Sequence, residues 1–306
     1  MPILSSLLQN EFMPGDDYQF TIIAFPIPAI GPDFEEIFRE TMKINTLDVE
    51  TYQRIQQCLI DALDQGERVH VKGKGDNRTD IIVALAPLKD PATETRFENC
   101  LADVNIPVGE VFTSPKLEGT NGVLHVSYVY LNQLLFQELE IKITEGKVTD
   151  YTCRNYDEER KNKAFIKEHV LFHHDTLPLG EFAIGTNTLA YRMGRKYGIL
   201  DKLPILIAEK TGPHFAVGDT CYSHSEEVVV RNPDGKEMIA KENSCSALRK
   251  SDPASAYFNC HLDITLPFDE LEKIAVIKEN GEEIVLIRDG KFVLPGTEGL
   301  NKPLEE

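Results

Sequence analysis

The chain has 306 residues, 42% of them apolar, and a net charge of −18, so it can bury a sizeable core in one large domain or two of ordinary size. That excess of carboxylates argues against nucleic acid and against an anionic membrane surface, since both recruit Lys and Arg. No run approaches the roughly 18 apolar residues of a membrane span, and residues 1–8 lack the basic start of a signal peptide.

In chain order, residues 18–25 (YQFTIIAF) read as a buried strand that Pro26, Pro28 and Gly31-Pro32 bring to an end. A short helix opens at residues 33–38. Thr46 then caps a second helix over about 47–65, whose apolar positions Val49, Tyr52, Ile55, Leu59 and Leu63 recur every three or four residues. After Gly66 the periodicity changes to two. Residues 68–72 alternate, 80–86 form an apolar strand, and Asn121-Gly122 is a turn introducing an alternating strand over 123–130. A hairpin spans 139–152 around Glu145-Gly146, and a charged helix covers 157–172. The apolar run 203–208 reads as a buried strand that delivers Glu209 to a strand end. Val228, Val229 and Val230 lead into the turn Asn232-Pro233-Asp234-Gly235, and Asn280-Gly281 and Asp289-Gly290 mark two hairpins. The expected fold class is α+β: a β-rich domain over 67–306 with few helices, preceded by a short α/β segment over 1–66.

The candidate chemistry gathers in a few short stretches. Ile106-Pro107-Val108-Gly109-Glu110 and Leu177-Pro178-Leu179-Gly180-Glu181 repeat one pattern, apolar-Pro-apolar-Gly-Glu. Proline fixes φ, glycine admits a close neighbour, and the glutamate is carried into an apolar run, where a lone charge is costly unless paired or bound to metal. Glu209-Lys210-Thr211-Gly212-Pro213-His214 places a carboxylate and an imidazole across a turn. In His261-Leu262-Asp263 the first and third side chains share one face of a strand. Four carboxylates and two imidazoles are too many for one catalytic zinc and about right for two ions bridged by a carboxylate. His70 and His125 are expected on the surface, and His173-His174-Asp175 in an exposed loop. Gly73-Lys74-Gly75 lacks the spacing of a phosphate-binding loop, and there is no Gly-x-Ser-x-Gly. The six cysteines, Cys58, Cys100, Cys153, Cys221, Cys245 and Cys260, form no Cys-x-x-Cys pair and read as reduced thiols of a cytoplasmic protein.

In order and spacing, Gly109-Glu110-Val111-Phe112-Thr113-Ser114-Pro115, Leu179-Gly180-Glu181-Phe182-Ala183-Ile184-Gly185-Thr186-Asn187, Glu209 to His214, and His261-Leu262-Asp263 resemble the aminopeptidase T (thermophilic aminopeptidase) family of metallopeptidases. The resemblance implies two divalent ions, zinc or cobalt, a peptide substrate and release of N-terminal residues by a homodimer. It implies Glu110, Glu181, His214, His261 and Asp263 as ligands. Glu209 falls on a family glutamate, as general base or as a further ligand. Tyr222 is the nearest match to a site tyrosine, at a spacing one residue longer. The family carries a longer N-terminal α/β domain, of which residues 1–66 would be a shortened counterpart. A relative without activity that binds metal or peptide, and a metallohydrolase of another small acyl substrate, are the alternative readings.

Overall fold

The computed structural model describes residue 12 and residues 21–102 and 104–305; the expected lead over 1–17, Phe12 apart, and the first three positions of the 18–25 strand lie outside them. Among the described residues the strands are, in chain order, β1 (Ile22–Ile23), β2 (Arg68–Gly73), β3 (Asp80–Ala84), β4 (Glu94–Thr95), β5 (Glu98–Cys100), β6 (Asn105–Ile106), β7 (Glu110–Thr113), β8 (Lys116–Leu131), β9 (Leu134–Thr144), β10 (Lys147–Thr152), β11 (Leu179–Gly185), β12 (Pro213–Gly218), β13 (Glu237–Met238), β14 (His261–Thr265), β15 (Leu271–Ile277), β16 (Glu283–Arg288) and β17 (Lys291–Phe292). The main helices are α1 (Phe34–Asn45), α2 (Val49–Leu63), α3 (Glu159–His169), α4 (Thr188–Tyr197) and the single turn α5 (Ile205–Ala208). The fold is α+β and sheet-rich.

Two antiparallel sheets carry it. One has eight strands in the order β10-β9-β8-β3-β2-β15-β16-β17, the other five in the order β14-β12-β11-β7-β5. Alternation along each strand decides what lies between them. Val69, Val71, Ile81, Val83, Val126, Ile141 and Ile274 of the larger sheet share one buried core with Val111, Phe182, Ile184, Phe215, Val217, Leu262 and Ile264 of the smaller. Helix α2 adds Leu59, Ile60 and Leu63 to this core. Burying each such side chain contributes about 1.5–3 kcal/mol before chain entropy is subtracted. Since Val111, Phe182, Ile184, Phe215, Val217, Leu262 and Ile264 fill the core, their neighbours along each strand face outward, among them Glu110, Glu181, His214, His261 and Asp263.

Several elements differ from the sequence reading, each for a local reason. Of residues 18–25, β1 forms only at Ile22–Ile23, and both are exposed, because pairing with the two-residue β6 offers no sheet face to cover them. Helix α1 runs on to Asn45 because Ile37 and Ile44 bury against Ala190, Met193 and Ile207. Thr46 closes α1 by bonding the Met42 carbonyl at 2.7 Å, and Asp48 precedes α2 instead. Asn121-Gly122 is no turn: β8 runs straight through it, and Gly122 is needed there because a Cβ would lie 2.2 Å from the Asp80 carbonyl oxygen of β3. Residues 203–208 are not a strand. Pro204 opens the turn α5, in which Ile207 is buried and Ile205 exposed, and a short apolar run does not distinguish the two conformations. Val228 and Val229 are exposed and lie outside any strand. His125 is fully buried rather than on the surface, held by the Arg78 amide on Nδ1 and by Glu138 beside Nε2.

Candidate metal centre

The register of the five-stranded sheet assembles the outward-facing polar residues. Glu181, Ala216 and Asp263 lie on one rung, and Ala183, His214 and Thr265 on the next. Glu110 stands opposite Gly185, and His261 opposite Gly218. Small residues at the intervening positions leave room for the long polar ones to converge. His214 Nε2 lies 3.7 Å from Glu110 Oε2 and 3.7 Å from Glu181 Oε1. His261 Nε2 lies 3.1 Å from Glu181 Oε2 and 3.2 Å from Asp263 Oδ1. Glu181 thus reaches both imidazoles, one with each oxygen. Its ligand atoms also complete two compact groups within 4.8 Å, Glu110–Glu181–His214 and Glu181–Cys221–His261. Sequence reasoning gave Cys221 no part in the site.

Both Pro-x-Gly-Glu copies use their glycine for a close approach. A Cβ on Gly109, at φ +144°, would lie 2.8 Å from Asn187 Cβ. Asn187 caps α4 through Ala190 and donates to the Val108 carbonyl at 3.0 Å, which fixes the entry to Glu110. A Cβ on Gly180 would lie 2.1 Å from the Asp219 carbonyl oxygen. The β11 register shifts between Leu179 and Glu181, a bulge that re-aims Glu181. The same Asp219 carbonyl accepts His261 Nδ1 at 2.7 Å, while the Asp219 carboxylate accepts the Phe258 and Asn259 amides. Asp219 is therefore a supporting residue that its sequence context does not mark.

Glu209 leaves the 3₁₀ turn that follows α5. Lys210, fully buried, places its ammonium 2.8 Å from Glu209 Oε1 and 3.5 Å from Glu110 Oε1. Burial and the Glu110 charge push the Glu209 carboxyl up to about 7. Burial alone would depress the Lys210 ammonium, but Glu110 and Glu209 outweigh it and hold the ammonium well above the ordinary lysine range. Lys210 was also missed, because a Lys between Glu and Thr carries no sign that it will be buried. Glu209 and Asp263 line the floor of a largely apolar cavity of about 150 Å³, walled by Tyr128, Val129, Tyr191 and Leu203. Tyr222 lies over the same sheet face, packed on Phe112, and donates to Glu98.

The cluster fits divalent metal on three observations. Glu110, Glu181, Glu209 and Asp263 outnumber the fixed cation Lys210, and buried charge of one sign demands compensation. Asp263 Oδ1 is buried and makes no hydrogen bond. Each imidazole rests Nδ1 on a main-chain carbonyl, His214 on Gly212 at 3.2 Å and His261 on Asp219 at 2.7 Å, so the neutral tautomer turns the Nε2 lone pair toward the carboxylates. Without metal, protons take over the compensation. Burial opposes charge on His214, yet Glu181, Asp263 and Glu110 push it up to about 10, and Asp263 and Glu181 likewise push His261 up to about 12. Burial would raise Glu181, but the two imidazoles outweigh it and hold its carboxyl well below the usual range.

Carboxylates and imidazoles converging on one outer sheet face form a candidate centre whose donors suit divalent metal. Residues 35–292 match the thermophilic metalloprotease family, M29, and the chain belongs to that family. Among solved structures, wild-type AmpT from Thermus thermophilus aligns with a TM-score of 0.60 at 19% identity, over 89% of this chain and 64% of AmpT. The 2,5-dihydroxypyridine dioxygenase from Pseudomonas putida KT2440 aligns with a TM-score of 0.50 at 16% identity, over 86% of this chain and 64% of the dioxygenase. At such identities the likeness is one of fold, and the chain spans less than two thirds of either protein. No curated protein matches.

Proposed function

We propose that the protein is a metallo-aminopeptidase that releases N-terminal residues from peptides with two divalent ions, zinc or cobalt. The observation that carries this reading is Glu181, whose two oxygens face His214 on one side and His261 on the other, as a carboxylate bridging two ions would. Glu110 and His214 hold one side, His261 and Asp263 the other. Two ions so held would supply Lewis acidity to the scissile carbonyl and lower the pKa of an attacking water. Glu209, beside the cluster and titrating near neutrality, takes the proton from that water and returns it to the departing amine. Lys210 holds Glu209 in place and offsets part of its charge. The apolar cavity beside Asp263 and Glu209 receives the side chain of the N-terminal residue, which favours large apolar residues. A homodimer and a cytoplasmic setting complete the reading, on the family resemblance and the free thiols.

The test is an aminoacyl-anilide panel assayed with added zinc or cobalt. Leucyl and phenylalanyl substrates should turn over faster than glycyl. Metal bound without any release would make the chain a binding relative, and release only from other acyl substrates would make it a different metallohydrolase. Because a dioxygenase shares the fold, 2,5-dihydroxypyridine belongs in the panel, and oxygen uptake on it in place of anilide cleavage overturns the proposal.

A further inference from the structure

The loop after β12 carries a ligand-type side chain that the proposed function leaves unused. Cys221 brings its sulfur within 4.8 Å of ligand atoms of both Glu181 and His261. The loop is pinned on either side of it. The Asp219 amide donates to the Cys260 carbonyl at 2.7 Å, and Thr220 reaches the Lys241 carbonyl at 3.3 Å. Tyr222 is tied down on Phe112 and Glu98, and Cys221 is the loop side chain whose sulfur stands beside His261, while the Asp219 carbonyl holds Nδ1 of the same ring. A second observation points to the same place. The Asp263 side chain is 9% exposed, and its Oδ1 lies 3.2 Å from His261 Nε2 yet makes no hydrogen bond, which leaves a buried acceptor beside the imidazole that Cys221 also approaches. Such an acceptor is costly unless a cation fills that space.

We infer that Cys221 is a thiolate ligand to the ion on the Glu181–His261–Asp263 side of the centre. On binding, the thiol loses its proton to solvent and a sulfur–metal bond forms, with no electron transferred. Nitrogen, oxygen and sulfur donors together select zinc or cobalt over magnesium or manganese, which take all-oxygen shells. The inference rests on the metal-centre reading and adds a donor that the carboxylate–imidazole set does not contain.

Cobalt(II) titration of the metal-free protein tests it without any turnover assay. The wild type should develop near-ultraviolet sulfur-to-cobalt charge-transfer absorption together with visible cobalt bands. Cys221→Ser should keep the visible bands and lose the charge-transfer absorption, whereas Cys260→Ser, on the neighbouring strand end, should keep both. Cys221→Ser should also weaken zinc more than manganese. Charge-transfer absorption that survives in Cys221→Ser, or visible bands in the wild type without it, overturns the inference. Absence of all cobalt bands from the wild type overturns the metal-centre reading itself, so the two failures are told apart.

Discussion

Lys210 donates to Glu209 at 2.8 Å from a fully buried ammonium, in a chain whose other lysines are mostly at the surface. The ammonium also stands 3.5 Å from Glu110, so one cation serves both the proposed base and a proposed ligand. Lys210→Met would leave both carboxylates buried without it. The expected loss is about 3–5 kcal/mol of stability in chelator, as for other broken buried pairs. Removing a cation also disfavours the ionised carboxylate, so the acid limb of kcat/KM, which the proposal assigns to Glu209, should move to higher pH. Thermal melts and a pH–rate profile measure the two effects, and an unmoved acid limb would separate Lys210 from the base.

Glu209 can be assigned as base or ligand by substitution. It lies on the turn beyond the sheet, not among the side chains that converge on the two Nε2 atoms. Glu209→Gln should therefore keep its full metal content and lose roughly 10²- to 10⁴-fold in kcat, the usual contribution of a general base. Loss of one metal equivalent by elemental analysis would make it a ligand instead.

The parts of this architecture that were legible in the sequence are those that local chemistry decides. Alternation marked β2 and the second half of β8, and Glu145-Gly146 and Asp289-Gly290 turn as their φ > 0 preference requires. The glutamates of the two Pro-x-Gly-Glu copies and the residues of His261-x-Asp263 stood out because a charged residue inside an apolar strand needs a partner. What was illegible depends on contacts distant in sequence. Gly122 looked like a turn because nothing nearby reveals that β3 presses on it. Lys210 and His125 are buried by elements far away in the chain, and Cys221 is brought to Glu181 by a loop pinned through Asp219 and Tyr222.

Gly180 makes the link between backbone and centre testable. A Cβ there would lie 2.1 Å from the Asp219 carbonyl, a backbone atom that cannot move aside without releasing His261 Nδ1. Gly180→Ala should weaken metal binding by about 10- to 100-fold, the usual cost of disturbing an atom that orients a ligand. Competition against a chromogenic chelator measures it, and unchanged affinity would mean that His261 orients without this carbonyl.

Metal binding should depend steeply on pH, with a sign fixed by the two imidazoles. In the metal-free protein His214 is pushed up to about 10 and His261 to about 12, against an unfolded value of about 6.5. Their contribution to metal-free stability is therefore complete below about 6.5 and is lost as pH rises toward those folded values. Glu181, held low, contributes above about 4.3 and loses its contribution as pH falls below that. A metal ion requires both imidazoles neutral, so it must displace their protons between pH 6.5 and 10. The rise in melting temperature on adding zinc should accordingly be larger at pH 9 than at pH 6.5. Calorimetric titrations in buffers of different ionisation heat should record proton release at pH 7.5. Binding without proton release would mean that the imidazoles are already neutral in the metal-free site, and that Lys210 alone offsets its carboxylates.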